Sequence, residues 1–165
     1  MTREEMTRFW GRDNLARWSE ISLRNVTIPG SAKSFLVETG MPLRLGLTLR
    51  FEIQADQVSR ASTTRLCIGF DDVVPISIDE RGRVIAEEAK VGRGERYINS
   101  SIECFGECLV YYQQYRISVR AASEDEIQRL ISVVESRLRN ADPTAFADPN
   151  NWWPVIVEQI NHGLL

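Results

Sequence analysis

Residues 65–88 read RLCIGFDDVVPISIDERGRVIAEE, and the punctuation of this stretch decides the architecture. Leu66, Ile68 and Phe70 alternate with their neighbours, and Val74, Ile76 and Ile78 then do the same. An apolar side chain at every second position marks extended chain with one buried face, so both runs are expected to be strands. The short Asp71-Asp72 connection pairs them as a hairpin. A second reversal at Asp79-Glu80-Arg81-Gly82 leads into RVIAEE, a further strand. Parallel neighbours would need a crossover of about a dozen residues or more, so these short links predict an antiparallel meander. Pro75 has no amide to donate, which predicts an edge strand or a local irregularity at that point.

Working toward the N-terminus, residues 43–54 read LRLGLTLRFEIQ. Leu43, Leu45, Leu47, Leu49, Phe51 and Ile53 are apolar, while Arg44, Gly46, Thr48, Arg50, Glu52 and Gln54 alternate between them. Two arrangements fit: one long strand, or two strands with a bend at Gly46. Upstream, residues 26–42 hold a Pro-Gly turn, a short apolar helix and a stop at Gly40. Residues 2–20 are expected to form one helix. Thr2 and Glu5 have capping-box spacing, and Met6, Phe9 and Trp10 lie on one side.

The C-terminal part reads as helical. In YINSSIECFGECLVYY, residues 97–112, Ser100 and Glu103 have capping-box spacing. Ile102, Phe105, Leu109 and Tyr112 make one stripe; Cys104, Cys108, Tyr111 and Tyr115 make another. Two apolar stripes imply a helix sandwiched between a sheet and another helix. Ser123 and Glu126 start a further helix, with Ile127, Leu130, Ile131, Val134 and Leu138 on one face. Its acidic first turn and arginine-bearing last turn suit the helix dipole. A last helix runs through NWWPVIVEQINHG, with Pro154 in the first turn, where its amide has no intrahelical partner. The expected fold is α+β: a central, mainly antiparallel sheet flanked by N-terminal and C-terminal helices in a single domain over residues 1–165.

Composition limits what such a domain does. Of the 165 residues, 43% are hydrophobic and 26% charged, with 23 acidic and 20 basic residues and a net charge of −3. A duplex-binding surface needs a basic excess that this balance lacks, so no nucleic-acid partner is expected. No apolar run approaches the roughly 20 residues of a membrane helix, and the charged N-terminus lacks the apolar core of a secretory signal. Three cysteines do not suggest a disulfide framework. Together these lead to the expectation of a cytoplasmic protein with no membrane partner.

Candidate chemistry is sparse. Cys104 and Cys108 stand one helical turn apart, with Cβ atoms too distant for a disulfide. Zinc would have to complete its shell from Cys67 and the single His162, without a second paired motif. Buried filler is the expected role of the cysteines. His162 lies in the last turn of a helix, where a cation suits the dipole. Ser100 and Ser101 lack a base at motif spacing and are expected to cap. Gly92 and Gly94 form a lone GxG, without the lysine-serine ending of a phosphate loop. Asp71, Asp72, Asp79 and Glu80 lie at opposite ends of one strand and read as solvated turn acids. Trp152 and Trp153 read as anchors for the terminal helix. No catalytic, cofactor-binding or metal-binding residue is assigned, and an enzyme is not expected.

The segments IPGSAKSFLVETGMP, RLCIGFDDVVPISIDERGRV, YINSSIECFGECLVYY and ADPTAFADPNNWWPVIVEQI follow one another from about residue 28 to the C-terminus. In this order they resemble the SUKH superfamily, which includes bacterial immunity proteins and a yeast cell-wall-assembly regulator, and within it the fourth immunity subfamily. Asn99-Ser100-Ser101 followed by Phe105, and the block from Asp142-Pro143 to Trp153, carry most of the likeness. The resemblance implies the same α+β fold and a protein partner: a cognate bacterial toxin, often a nuclease or nucleic-acid deaminase, that the protein binds and blocks. The net charge of −3 gives slight support, since opposite charge on a basic toxin speeds encounter. Partner surfaces vary in the family, so no partner-binding residue, oligomeric state or toxin identity follows. The alternative is a regulatory interaction scaffold of the same fold with no toxin link.

Overall fold

The computed structural model describes residues 1–46, 48–52, 65–87 and 94–164. Its helices are α1 (Arg3–Trp10), α2 (Glu20–Leu23), α3 (Gly30–Glu38), α4 (Ile102–Ser118), α5 (Glu124–Ala141) and α6 (Trp152–Asn161). The strands are β1 (Leu15–Ala16), β2 (Met41–Pro42), β3 (Arg44–Leu45), β4 (Leu49–Phe51), β5 (Arg65–Asp71), β6 (Val74–Asp79), β7 (Val84–Glu87) and β8 (Glu95–Asn99). Strands β3 to β8 form one sheet in sequence order, each antiparallel to the next, and β1 pairs with β2 apart from it. This is the meander that the short reversals require.

The alternating stretch resolves as two strands with a bend. Gly46 takes φ +68°, and the chain folds back so that Arg44 faces Arg50 and Leu45 faces Leu49. Positive φ is inexpensive for glycine, which locates the turn there. Leu45, Leu49 and Phe51 are buried while Arg44 and Arg50 are exposed, as the alternation demands. Leu47, Ile53 and Gln54 lie outside the described residues. Strand β6 is internal, so Pro75 does not mark an edge strand. It sits opposite Phe70, beyond the last β6–β7 pair at Ile76 and Ala86, where its missing amide breaks no ladder bond. The register instead shifts within β5, between Cys67 and Gly69.

The N-terminal region departs from the single helix expected over residues 2–20. Helix α1 starts with the Thr2–Glu5 capping box but ends at Trp10, because Gly11 turns to φ +79° and donates its amide to Thr7. A short 3-10 turn and β1 follow, and Ser19 caps the separate helix α2.

Helix α4 is the axis of the molecule. Its first stripe faces the sheet, where the rings of Phe105 and Phe51 meet edge-on at 5.8 Å. Arg137 of α5 stacks on Tyr111 and donates to Gln114, and α1 and α3 close over Gly106. A Cβ at Gly106 would lie 3.0 Å from both Met6 Sδ and Phe35 Cζ, so the missing side chain is what seats α1 on α4. Gly106→Leu is expected to cost about 2 kcal/mol through overpacking, measured by urea denaturation, and to speed proteolysis of α1. Helix α6 docks through aromatic contacts, with Trp152 4.6 Å from Trp153, 6.3 Å from Phe105, and Trp153 6.0 Å from Tyr112. Both tryptophans are buried, in the anchoring role expected of them.

Candidate functional site

The densest polar cluster joins the two segments that carry the family likeness. Asp142 is buried at the C-terminal end of α5. Its Oδ2 accepts from Asn99 Nδ2 (3.0 Å), the Ser100 amide (2.6 Å) and Ser100 Oγ (3.0 Å). Its Oδ1 accepts from the Thr144 amide (3.2 Å) and the Thr144 hydroxyl. Tyr97 Oη reaches the same hydroxyl at 2.8 Å, and Trp153 Nε1 donates to Asn99 Oδ1 at 2.8 Å. Burial pushes the Asp142 carboxyl up, but the bonds from Thr144, Ser100 and Asn99 outweigh it and hold the group below its usual range. A carboxylate with both oxygens engaged is a latch, binding β8, α4, α5 and α6 together. Ser100 therefore does not cap α4. Ser101 does, its Oγ accepting from the Cys104 amide at 3.2 Å.

The other candidates fall into similar roles. Asp79 is not solvated but buried, closing the β6–β7 turn by accepting from the amides of Arg81 (3.0 Å) and Arg83 (2.8 Å) and from Arg83 Nε (2.7 Å). Burial raises its carboxyl, and the Arg83 contacts more than reverse this. Asp71 accepts from Trp152 Nε1 at 3.2 Å. Among the described residues no three His, Cys, Asp or Glu side chains converge as metal ligands. His162 stands exposed at the C-cap of α6. Gly92 lies outside the described residues, and Gly94 precedes β8.

Cys108 is fully buried and Cys104 half-buried, and all three thiols are free. Burial pushes the thiol of Cys108 well up and that of Cys67 up, which favours the unreactive protonated form in both. In native protein at pH 8, Cys108 is therefore expected to react with a disulfide reagent at least about 100-fold more slowly than in denaturant, as read by peptide mapping.

The surface holds what the sequence did not single out. Helix α1 crosses α4 and leaves a groove on either side of Phe9. One, of about 440 Å³, runs beside Arg8, Val110, Tyr111 and Gln114. The other, of about 520 Å³, is lined by Phe9, Trp10, Leu43, Arg44, Gln113 and Ile117. Leu43 and Ile117 remain 42% and 53% exposed. Trp10 Nε1 is buried without a hydrogen-bond partner among the described residues. Phe9 and Trp10, which the helical spacing puts on one side with buried Met6, are half-buried walls of this groove. Spacing within α1 does not reveal the groove, because it is made by residues far apart in sequence.

A meander backed by a central helix, with its buried acids engaged in latching turns and helix ends, defines an α+β domain. The chain belongs to the SUKH-4 immunity protein family, whose profile matches residues 1–159. The match begins upstream of the segments that suggested it, so α1 and the β1–β2 pair fall within the family region. No curated protein and no solved structure matches the chain.

Proposed function

We propose that the protein is an immunity protein that binds a cognate bacterial toxin in the cytoplasm and holds it inactive, acting as a binder and not as an enzyme. The match to the SUKH-4 immunity family over residues 1–159 carries this reading. The engagement of Asp142 and Asp79 in structural bonds supports it, since neither is left as an acid or base for catalysis. Residues 1–165 act as one such domain, with a nuclease or nucleic-acid deaminase as the toxin and without cofactor, nucleic-acid or membrane binding of its own.

Co-expression with a candidate toxin, sought among the genes beside this one, tests the proposal. Growth is expected to be restored to the level of a toxin-free strain, with the two proteins co-purifying. Cells that die at the same rate with and without the protein would sink it. No helix among the described residues is long and apolar enough to cross a membrane.

A further inference from the structure

The groove between α1, the β3–β4 hairpin and the C-terminal half of α4 has Arg44 on its wall, and the hairpin beside it carries an unusual charge arrangement. Arg44 and Arg50 stand directly opposite each other across the β3–β4 ladder, side chains on the same exposed face. Like charges in that position oppose strand pairing. Arg44 makes no ion pair among the described residues. The ion pair of Arg50 with Glu52 is long, at 3.9 Å, and its guanidinium lies over the Phe70 ring at 5.0 Å. Arg116 reaches the hairpin tip, where a Cβ on Gly46 would come within 3.2 Å of its Nη1. Its contacts are the neutral amide of Gln113 and the face of Tyr112. Arg44 on the groove wall and Arg116 beside Ile117 thus make no ion pair with a carboxylate among the described residues.

We propose that this groove is the toxin-docking face, and that its occupant is an acidic segment of the toxin with an apolar side chain at its centre. The inference rests on the immunity reading and specifies its interface. Carboxylates of the partner would pair with Arg44 and Arg116 through the paired bonds that a guanidinium offers. An apolar residue would cover Leu43 and Ile117 against Phe9 and Trp10. Aromatic and arginine side chains around a desolvated floor are the composition of interface hot spots. A nucleic acid fits less well, because a phosphate track needs a longer basic run and gains little from an apolar floor. The expected docking charge on the toxin is therefore negative, opposite to what the overall charge of this chain suggests.

The test titrates the protein with a catalytically inactivated form of the candidate toxin used in the co-expression experiment. Arg44→Glu with Arg116→Glu is expected to weaken binding about 100-fold, and Ile117→Asp about 10-fold or more. Ile21→Asp, at an exposed apolar position on α2 outside the groove, should stay within about twofold of wild type. Circular dichroism and melting curves must match wild type for each variant to count, and the milder Arg44→Ala with Ile117→Ser stands in for any that misfolds. If wild type binds and the groove variants bind equally well, the docking face is wrong while the immunity reading stands. If wild type neither binds nor protects, the immunity reading itself fails and this inference falls with it. Groove-dependent binding of an oligonucleotide, or groove-dependent self-association, with toxin affinity unchanged would also overturn it.

Discussion

Asp142→Ala is expected to destabilise the protein by about 3–5 kcal/mol, lowering its melting temperature by on the order of 10 °C. The substitution leaves the Asn99 side-chain amide and the backbone amides of Ser100 and Thr144 without their acceptor. A buried donor without a partner forfeits its full desolvation free energy, roughly 1–3 kcal/mol each. The hydroxyls of Ser100 and Thr144 can rotate to other partners, which keeps the total below a simple sum. The pH profile gives a second readout. The folded carboxyl lies below its usual range, so its contribution is fully present at neutral pH. It begins to fade as pH drops through the unfolded value of about 3.9 and is lost once the folded group protonates. Asp142→Asn should flatten this acid limb, with Asp79 accounting for part of what remains. A wild-type-like melting curve for Asp142→Ala would contradict the latch.

Trp153→Ala is expected to cost about 4 kcal/mol or more, by removing a fully buried indole from between Trp152 and Tyr112. Trp153→Phe keeps most of the volume but strands Asn99 Oδ1, and should cost about 1–2 kcal/mol. Both substitutions act on Asn99, which bridges Asp142 and Trp153. Their effects should therefore couple: Trp153→Phe combined with Asp142→Ala should cost less than the sum of the two, by about 0.5–3 kcal/mol in a denaturation cycle. Strict additivity would mean that the two sides of the latch are independent.

Most of the sheet was legible because its signals are local. Period-two alternation and two acidic reversals located β5 to β7 within a few residues, while alternation alone left residues 43–54 open between one strand and two bent at Gly46. The capping boxes at Thr2 and Ser123 were equally local, and both form. The errors came where tertiary contacts compete with local rules. Ser100 and Ser101 are both able to cap α4, and which one does is settled by Asp142, more than forty residues away, which takes Ser100 for itself. The N-terminal helix stopped early because Gly11 offers a C-cap, a signal that was present but outweighed by the apolar spacing around it. Asp79 looked like a solvated turn acid, yet the turn it closes folds over it.

The candidate surface was not legible. Its components, Phe9, Leu43, Arg44 and Ile117, come from three separate elements, and each taken alone resembles ordinary core or ordinary surface. The like-charge opposition of Arg44 and Arg50 exists only once the bend at Gly46 sets the register. An alternating strand running straight through would have placed the two arginines six residues apart along one edge.

The central claim is that protection arises from occupancy of the toxin and not from turnover. Titrating a fixed amount of active toxin with the purified protein tests it most directly. The account predicts that residual toxin activity falls in proportion to added protein and reaches its floor at a fixed molar ratio, with the toxin recovered chemically unchanged on denaturation. Complete inactivation by a small fraction of that amount, or a covalent change in the recovered toxin, would contradict it.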